Sequence, residues 1–133
     1  MTLTLKHGGK TFANFEPDAL LAAGVPQAVI DTAQSEIRRK AVSAECRRRI
    51  YAGASVEAQL NLTAATSAIA ATQEADRTED DLAVLSGATA VIDWVSTMRA
   101  KVVVLAADTD ANHLEDATWP ALSAEAQVVI GRF

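Results

Sequence analysis

The chain has 133 residues, with 12 Lys and Arg against 17 Asp and Glu, and half of its residues are hydrophobic. That length sets about one domain, and a net charge of −5 provides no global positive field to gather phosphates, which argues against nucleic-acid binding. No run reaches the ~18 apolar residues that span a bilayer, and the single cysteine, Cys46, excludes an intrachain disulfide.

The first ten residues, MTLTLKHGGK, lack the apolar stretch of a secretion signal, so folding in the cytosol is expected. Residues 2–15 predict a β-hairpin. Leu3 and Leu5 alternate with polar neighbours, His7-Gly8-Gly9 supplies a turn that tolerates positive φ, and Thr11, Phe12 and Phe15 favour a returning strand. Two strands are marginal in water, so the hairpin must lie on something or add to a partner's sheet. Glu16-Pro17-Asp18 opens a short helical turn over 19–23, closed by Gly24. Pro26 then starts a helix expected to reach about Ala52, with Ile30, Ala33, Ile37, Ala41, Ala44 and Tyr51 on its apolar face. Gly53 breaks that helix, and Ser55 caps the next, 56–75, whose apolar face is Leu62, Ala65 and Ile69.

The longest predicted helix follows. Thr78 and Asp81 are spaced as a capping box, acids fill the first turn, and the helix is expected to reach Ala107. Val84, Ala88, Val91, Val95, Met98, Val102 and Leu105 recur along it at alternating spacings of four and three. This is an apolar seam of about three heptads, and it needs a partner surface from this chain or from another copy. Gly87 within it costs about 1 kcal/mol relative to Ala, and a close helix–helix approach would account for it. Residues 108–118 read as a polar loop, Trp119-Pro120 follow, and Ser123 caps a short helix over 124–130 that ends at a left-handed Gly131.

The expected fold is therefore mainly α. It has three parts: a β-hairpin and helical turn (1–25), a helical hairpin or bundle of three main helices (26–107), and a loop, Trp-Pro step and short C-terminal helix (108–133). Aromatic residues make up only 5% of the chain, so Ala and Val must build much of the core. Such residues bury little area each, at about 25 cal/mol per Å². A modestly stable monomer, supplemented by self-association, is the expectation.

Arg38, Arg39, Lys40, Arg47, Arg48 and Arg49 hold half of the basic residues in one stretch, against a single acid, Glu45. Two readings stand: a docking surface for an acidic partner or phosphate, or a solvated face that balances the acidic 74–81 stretch. Asp108, Asp110 and Asn112 begin like a calcium loop. However, His113 replaces the glycine and Trp119 the bidentate glutamate, so a loop rich in Asx-turns is expected. His7, His113 and Cys46 lack a third convergent group, which leaves no support for zinc or for a Cys–His nucleophile. No cofactor, metal or catalytic residue is expected, and no enzyme. Trp94, beside the seam, and Trp119 with Pro120 are expected to anchor a core or an interface.

The C-terminal region, with Trp94, Met98-Arg99, Val102, Leu105, the acidic loop 108–116 and Trp119-Pro120, resembles tail fibre assembly and tail assembly chaperone proteins of tailed bacteriophages and related short tail proteins. Asp18-Ala19-Leu20-Leu21-Ala22-Ala23-Gly24-Val25-Pro26 after the hairpin is similar to phage tail genes, in particular those of α-proteobacterial prophages. Met98 stands where the family has an aromatic residue, the tryptophan-to-arginine spacing is one residue longer, and Ser123 replaces a second proline. The resemblance implies a non-enzymatic structural component of the tail or tail fibre. It would pack with itself as a trimer, as tail fibres commonly do, and with a phage tail or fibre protein, without nucleic acid or membrane. The alternatives are a transient fibre-assembly chaperone absent from the virion and a generic cytosolic adaptor. The implied location is the virion tail or the bacterial host cytoplasm.

Overall fold

The computed structural model describes residues 1–133. Its elements are β1 (Leu3–His7), β2 (Lys10–Phe15), α1 (Pro17–Ala22), α2 (Gln27–Gly53), α3 (Val56–Ala70), α4 (Glu79–Ala107) and α5 (Ala124–Ile130). Single 3-10 turns lie at Glu74–Asp76 and Asp116–Thr118. The expected architecture of hairpin, long packed helices and short C-terminal helix is present.

α4 is the spine. Its N-terminus carries the capping box: Asp81 N–H donates to Thr78 Oγ1 at 3.1 Å, and Thr78 N–H donates to Asp81 Oδ2 at 3.0 Å. Val84, Ala88 and Val91 in its first half meet Leu62 and Ile69 of α3 and Ala126 and Val129 of α5. Trp94, Met98 and Leu105 in its second half meet Val42, Cys46 and Ile50 of α2, with Trp119 from the C-terminal segment. α2 and α3 thus run one after the other along α4, antiparallel to it, and the break between them at Ala54-Ser55 is where one half-core gives way to the next. Ser55 caps α3 by accepting from Ala58 N–H at 3.0 Å.

The hairpin sits on a third, smaller core. Gly8 and Gly9, with φ of +56° and +74°, form the two-residue turn, a geometry whose twist matches antiparallel strands. The register slips between Leu3 and Leu5, opposite Asn14, which has φ +59° and whose N–H donates to Thr4 Oγ1 at 3.1 Å. α1 ends in a Schellman closure: Gly24 N–H donates to Leu21 O and Val25 N–H to Leu20 O, each at 3.0 Å. Leu20 and Val25 are thereby brought against Leu3 and Ile30, so the hairpin lies on the first turns of α2.

Three local expectations are corrected. The buried face of α2 is Ile30, Val42, Glu45, Cys46 and Ile50, while Ile37 and Tyr51 are 40% and 41% exposed. The apolar periodicity misplaced this face because small alanines on both sides of the helix look equally apolar, and because two arginines and a glutamate turn inward. α3 ends at Ala70 rather than 75, since no apolar residue beyond Ile69 has a surface to cover. Gly131 has φ −64° and not a left-handed conformation; the chain simply continues with tight turns from Arg132 and Phe133 to Val129 and Ile130 carbonyls.

Gly87 has the close neighbour that its place in the helix called for. A Cβ built there would lie 2.7 Å from Val129 Cβ, so α5 packs directly on bare α4 backbone. Gly87→Ala should therefore lower stability by about 1–3 kcal/mol through overpacking, outweighing the ~1 kcal/mol gain in helix propensity. Urea unfolding reads this out. A midpoint equal to or above that of the parent chain would mean that α5 moves aside at no cost.

Candidate interaction surface

The seam finds most of its partner within the chain. Val84, Ala88, Val91, Met98 and Leu105 are buried under α2, α3 and α5. Val95 and Val102 are half-buried and open on one side to a groove. Trp94 and Trp119 are both buried in the half-core shared with α2, as anchors. Trp94 Nε1 donates to Pro120 O at 3.0 Å, and Trp119 Nε1 donates to His113 O at 2.7 Å. Each indole thus fills the core and pins the segment that crosses it. Gly53 is needed at the end of α2 because a Cβ there would come within 2.8 Å of the Trp94 ring.

The basic stretch divides by helix face. Arg38 turns toward the end of α4. Its Nε donates to Leu105 O at 3.0 Å, and its Nη2 donates to Ala111 O at 2.9 Å and to Asp108 O. α4 has no basic residue in its own last turn, so a cation from α2 satisfies the carbonyl end of the helix and its negative dipole. Arg49 faces the same way one end further on. It donates to Glu45 Oε1 at 2.7 Å, to Asp116 Oδ1 at 2.8 Å and to Leu114 O at 2.9 Å. Its guanidinium also lies 5.8 Å from the Trp119 ring centroid. Arg48 forks onto Glu45 from the solvent side, at 2.8 and 2.7 Å. Arg39, Lys40 and Arg47 point to solvent, Arg47 above the Tyr51 ring at 5.7 Å.

Glu45 is the hub of this network. The paired hydrogen bonds from Arg48, and then the single one from Arg49, hold its carboxyl down at about 2 from the usual 4.5, against the opposing effect of burial. Burial also pushes the Cys46 thiol up, which fits a packing residue. In the loop, Asp108 Oδ1 accepts from Asp110 N–H at 3.1 Å and Asn112 Oδ1 from Leu114 N–H at 3.0 Å, the Asx-turns expected there. No three His, Cys, Asp or Glu side chains converge as a metal site. No helix is long and apolar enough to cross a membrane.

Among the open surfaces of the chain, one runs along α3 and α4. Beside their shared core α3 and α4 flank a groove of about 650 Å³ floored by Leu62, Ala88, Val91 and Val95. A second compartment of about 490 Å³ extends it between α2 and α4, past Cys46, Ile50 and Val102. Gln59 and Arg99 line both. The sequence pattern missed this groove and the role of Glu45. The groove depends on how side chains of separate helices pack against one another, which no local periodicity encodes. Glu45 did carry a signal, since Arg48 and Arg49 stand at its i+3 and i+4 positions. No protein-family model matches this chain, and no curated protein does.

Two outcomes follow from the network. Glu45 is ionised in folded and unfolded chains above about pH 4.5, so its pairing contributes fully there. Between 4.5 and about 2 the unfolded chain takes up the proton first and that contribution is lost. Glu45→Gln should therefore be less stable at neutral pH and should show a flatter loss of stability over that acid range, read by urea midpoints at a series of pH values. Parallel curves for the two proteins would place the acid sensitivity elsewhere. Trp119→Ala should cost about 3–5 kcal/mol and expose residues 108–122 to limited proteolysis. Unchanged cleavage would mean that the arginines alone hold that segment.

Proposed function

We propose that this chain is a non-enzymatic phage or prophage tail-associated protein that works by packing against a tail or fibre protein, as a transient assembly chaperone. The tail association rests on the sequence resemblance. The choice of chaperone over permanent homo-oligomeric component is supported by one observation: the α4 seam is covered mainly by the chain's own α2, α3 and α5. A helix whose heptad face is already occupied has no continuous seam left to zip into a trimer. A partner is then met through the remaining groove and exposed side chains, by contacts that can be made and released. In this reading the protein acts in the bacterial host cytoplasm.

A structural place in the virion tail is the second reading. It is favoured by the exposed apolar residues on α4: Leu82, Ile92, Val103 and Val104 are between 53% and 73% accessible. A permanent neighbour would cover them.

Mass spectrometry of purified particles, paired with the solution mass of the isolated chain, separates the two. Absence from the particle with a monomer or dimer in solution is the expected result. Presence in the particle with a higher multimer in solution would replace the chaperone by a structural component. A chain recovered from host extract with no tail or fibre protein would leave only a generic adaptor.

A further inference from the structure

We propose that the groove between α3 and α4, continued between α2 and α4, is the docking site for an acidic amphipathic helix of a partner protein. This deepens the packing role proposed above by naming the chemistry of the captured segment.

The charge of the lining carries the choice of occupant. The chain has 17 acids against 12 bases, yet no carboxylate lines either compartment, and the only charged groups there are Arg47 and Arg99. Neither arginine takes part in an ion pair within the chain. A partner that lays apolar side chains on Val95 and Val102 meets two unpaired cations at the rim and no repelling acid. Carboxylates flanking its apolar stripe complete the match.

The backbone chemistry selects a helix. The groove walls are helices whose peptide groups bond within their own turns, so they offer no strand edge. An extended segment lying on the apolar floor would bury N–H and C=O groups without partners, whereas a helix satisfies them internally. From Leu85 to Val102 the floor follows α4 for about 25 Å at 1.5 Å per residue, which matches about 17 residues of bound helix. Thr63, Thr66, Thr89 and Ser96 border it, and these small side chains let a second helix approach closely.

The test uses the full chain and a synthetic helical peptide of about 18 residues, with Leu at i, i+3, i+4 and i+7 and Glu elsewhere, against a twin with Lys in place of Glu. Fluorescence anisotropy should show the Glu peptide binding at least about tenfold tighter than the Lys peptide. Its affinity should fall about tenfold between roughly 50 and 500 mM salt, where charges at a solvent-exposed rim are screened. The double variant Arg47→Glu with Arg99→Glu breaks no intrachain ion pair and loses only the exposed contact of Arg47 with the Tyr51 ring, so its urea midpoint should change little while the preference between the two peptides reverses. Ile92→Gln with Val95→Gln should weaken both peptides. Equal binding of the two peptides, or binding by neither, would overturn the assignment. So would a dimer of the free chain that Arg99→Glu dissociates, because the occupant would then be a second copy. A chain that binds the Glu peptide yet associates with no tail protein would keep the groove and lose the tail reading.

Discussion

Small side chains fill much of the α4 seam, and in the half-core that α4 shares with α2 two large rings complete the packing. Trp94 supplies one of these from α4 itself, and Trp119 supplies the other from a segment with no regular structure beyond one 3-10 turn. A bulky ring compensates for the area that alanine lacks, because hydrophobic stabilisation scales with apolar surface removed from water. The irregular segment must therefore be held firmly enough to keep Trp119 in place.

The holding is done by two arginines of α2 that face inward. Arg38 collects carbonyls at the end of α4, and Arg49 collects Leu114 O and Asp116 while lying over Trp119. Both bind mainly backbone or acidic oxygen, for which a planar fork with several donors is better suited than an ammonium group. Glu45 balances the charge of Arg49, whose side chain is only 13% exposed. Without Glu45 this largely desolvated cation would keep only Asp116 and the Leu114 carbonyl as hydrogen-bond partners, although a buried pair as a whole adds little net stability. The network orients the loop more than it drives folding.

Much of the fold was legible because it rests on local signals. The Gly8-Gly9 turn, the Ser55 and Ser123 caps, the Thr78–Asp81 box and the glycine at 87 each state a geometric need that neighbouring residues cannot hide. The α2 face was not legible. On a helix with alanine at 33, 41, 44 and 52, hydrophobicity barely distinguishes inside from outside, and Glu45, a charge that an apolar pattern assigns to solvent, lies on the buried face with Val42, Cys46 and Ile50. For the same reason the six-residue basic stretch looked like one surface. It is two, since Arg38 and Arg49 lie on the α4 side of the helix and Arg39, Lys40 and Arg47 on the other.

That division bears on how the protein can meet a partner. With Arg38, Arg48 and Arg49 engaged inside the chain, the positive charge that the basic stretch of α2 leaves to a second molecule is that of Arg39, Lys40 and Arg47, with Arg99 across the groove. An overall negative chain with one locally positive, acid-free groove repels acidic proteins at long range and favours them only in the right register. Such an arrangement gives specificity and salt-sensitive, reversible contact more than raw affinity. A component fixed in an assembly would instead benefit from a large desolvated apolar interface, as in obligate oligomers. The modest groove, the internally satisfied seam and the exposed cations together suit a contact that forms and is released.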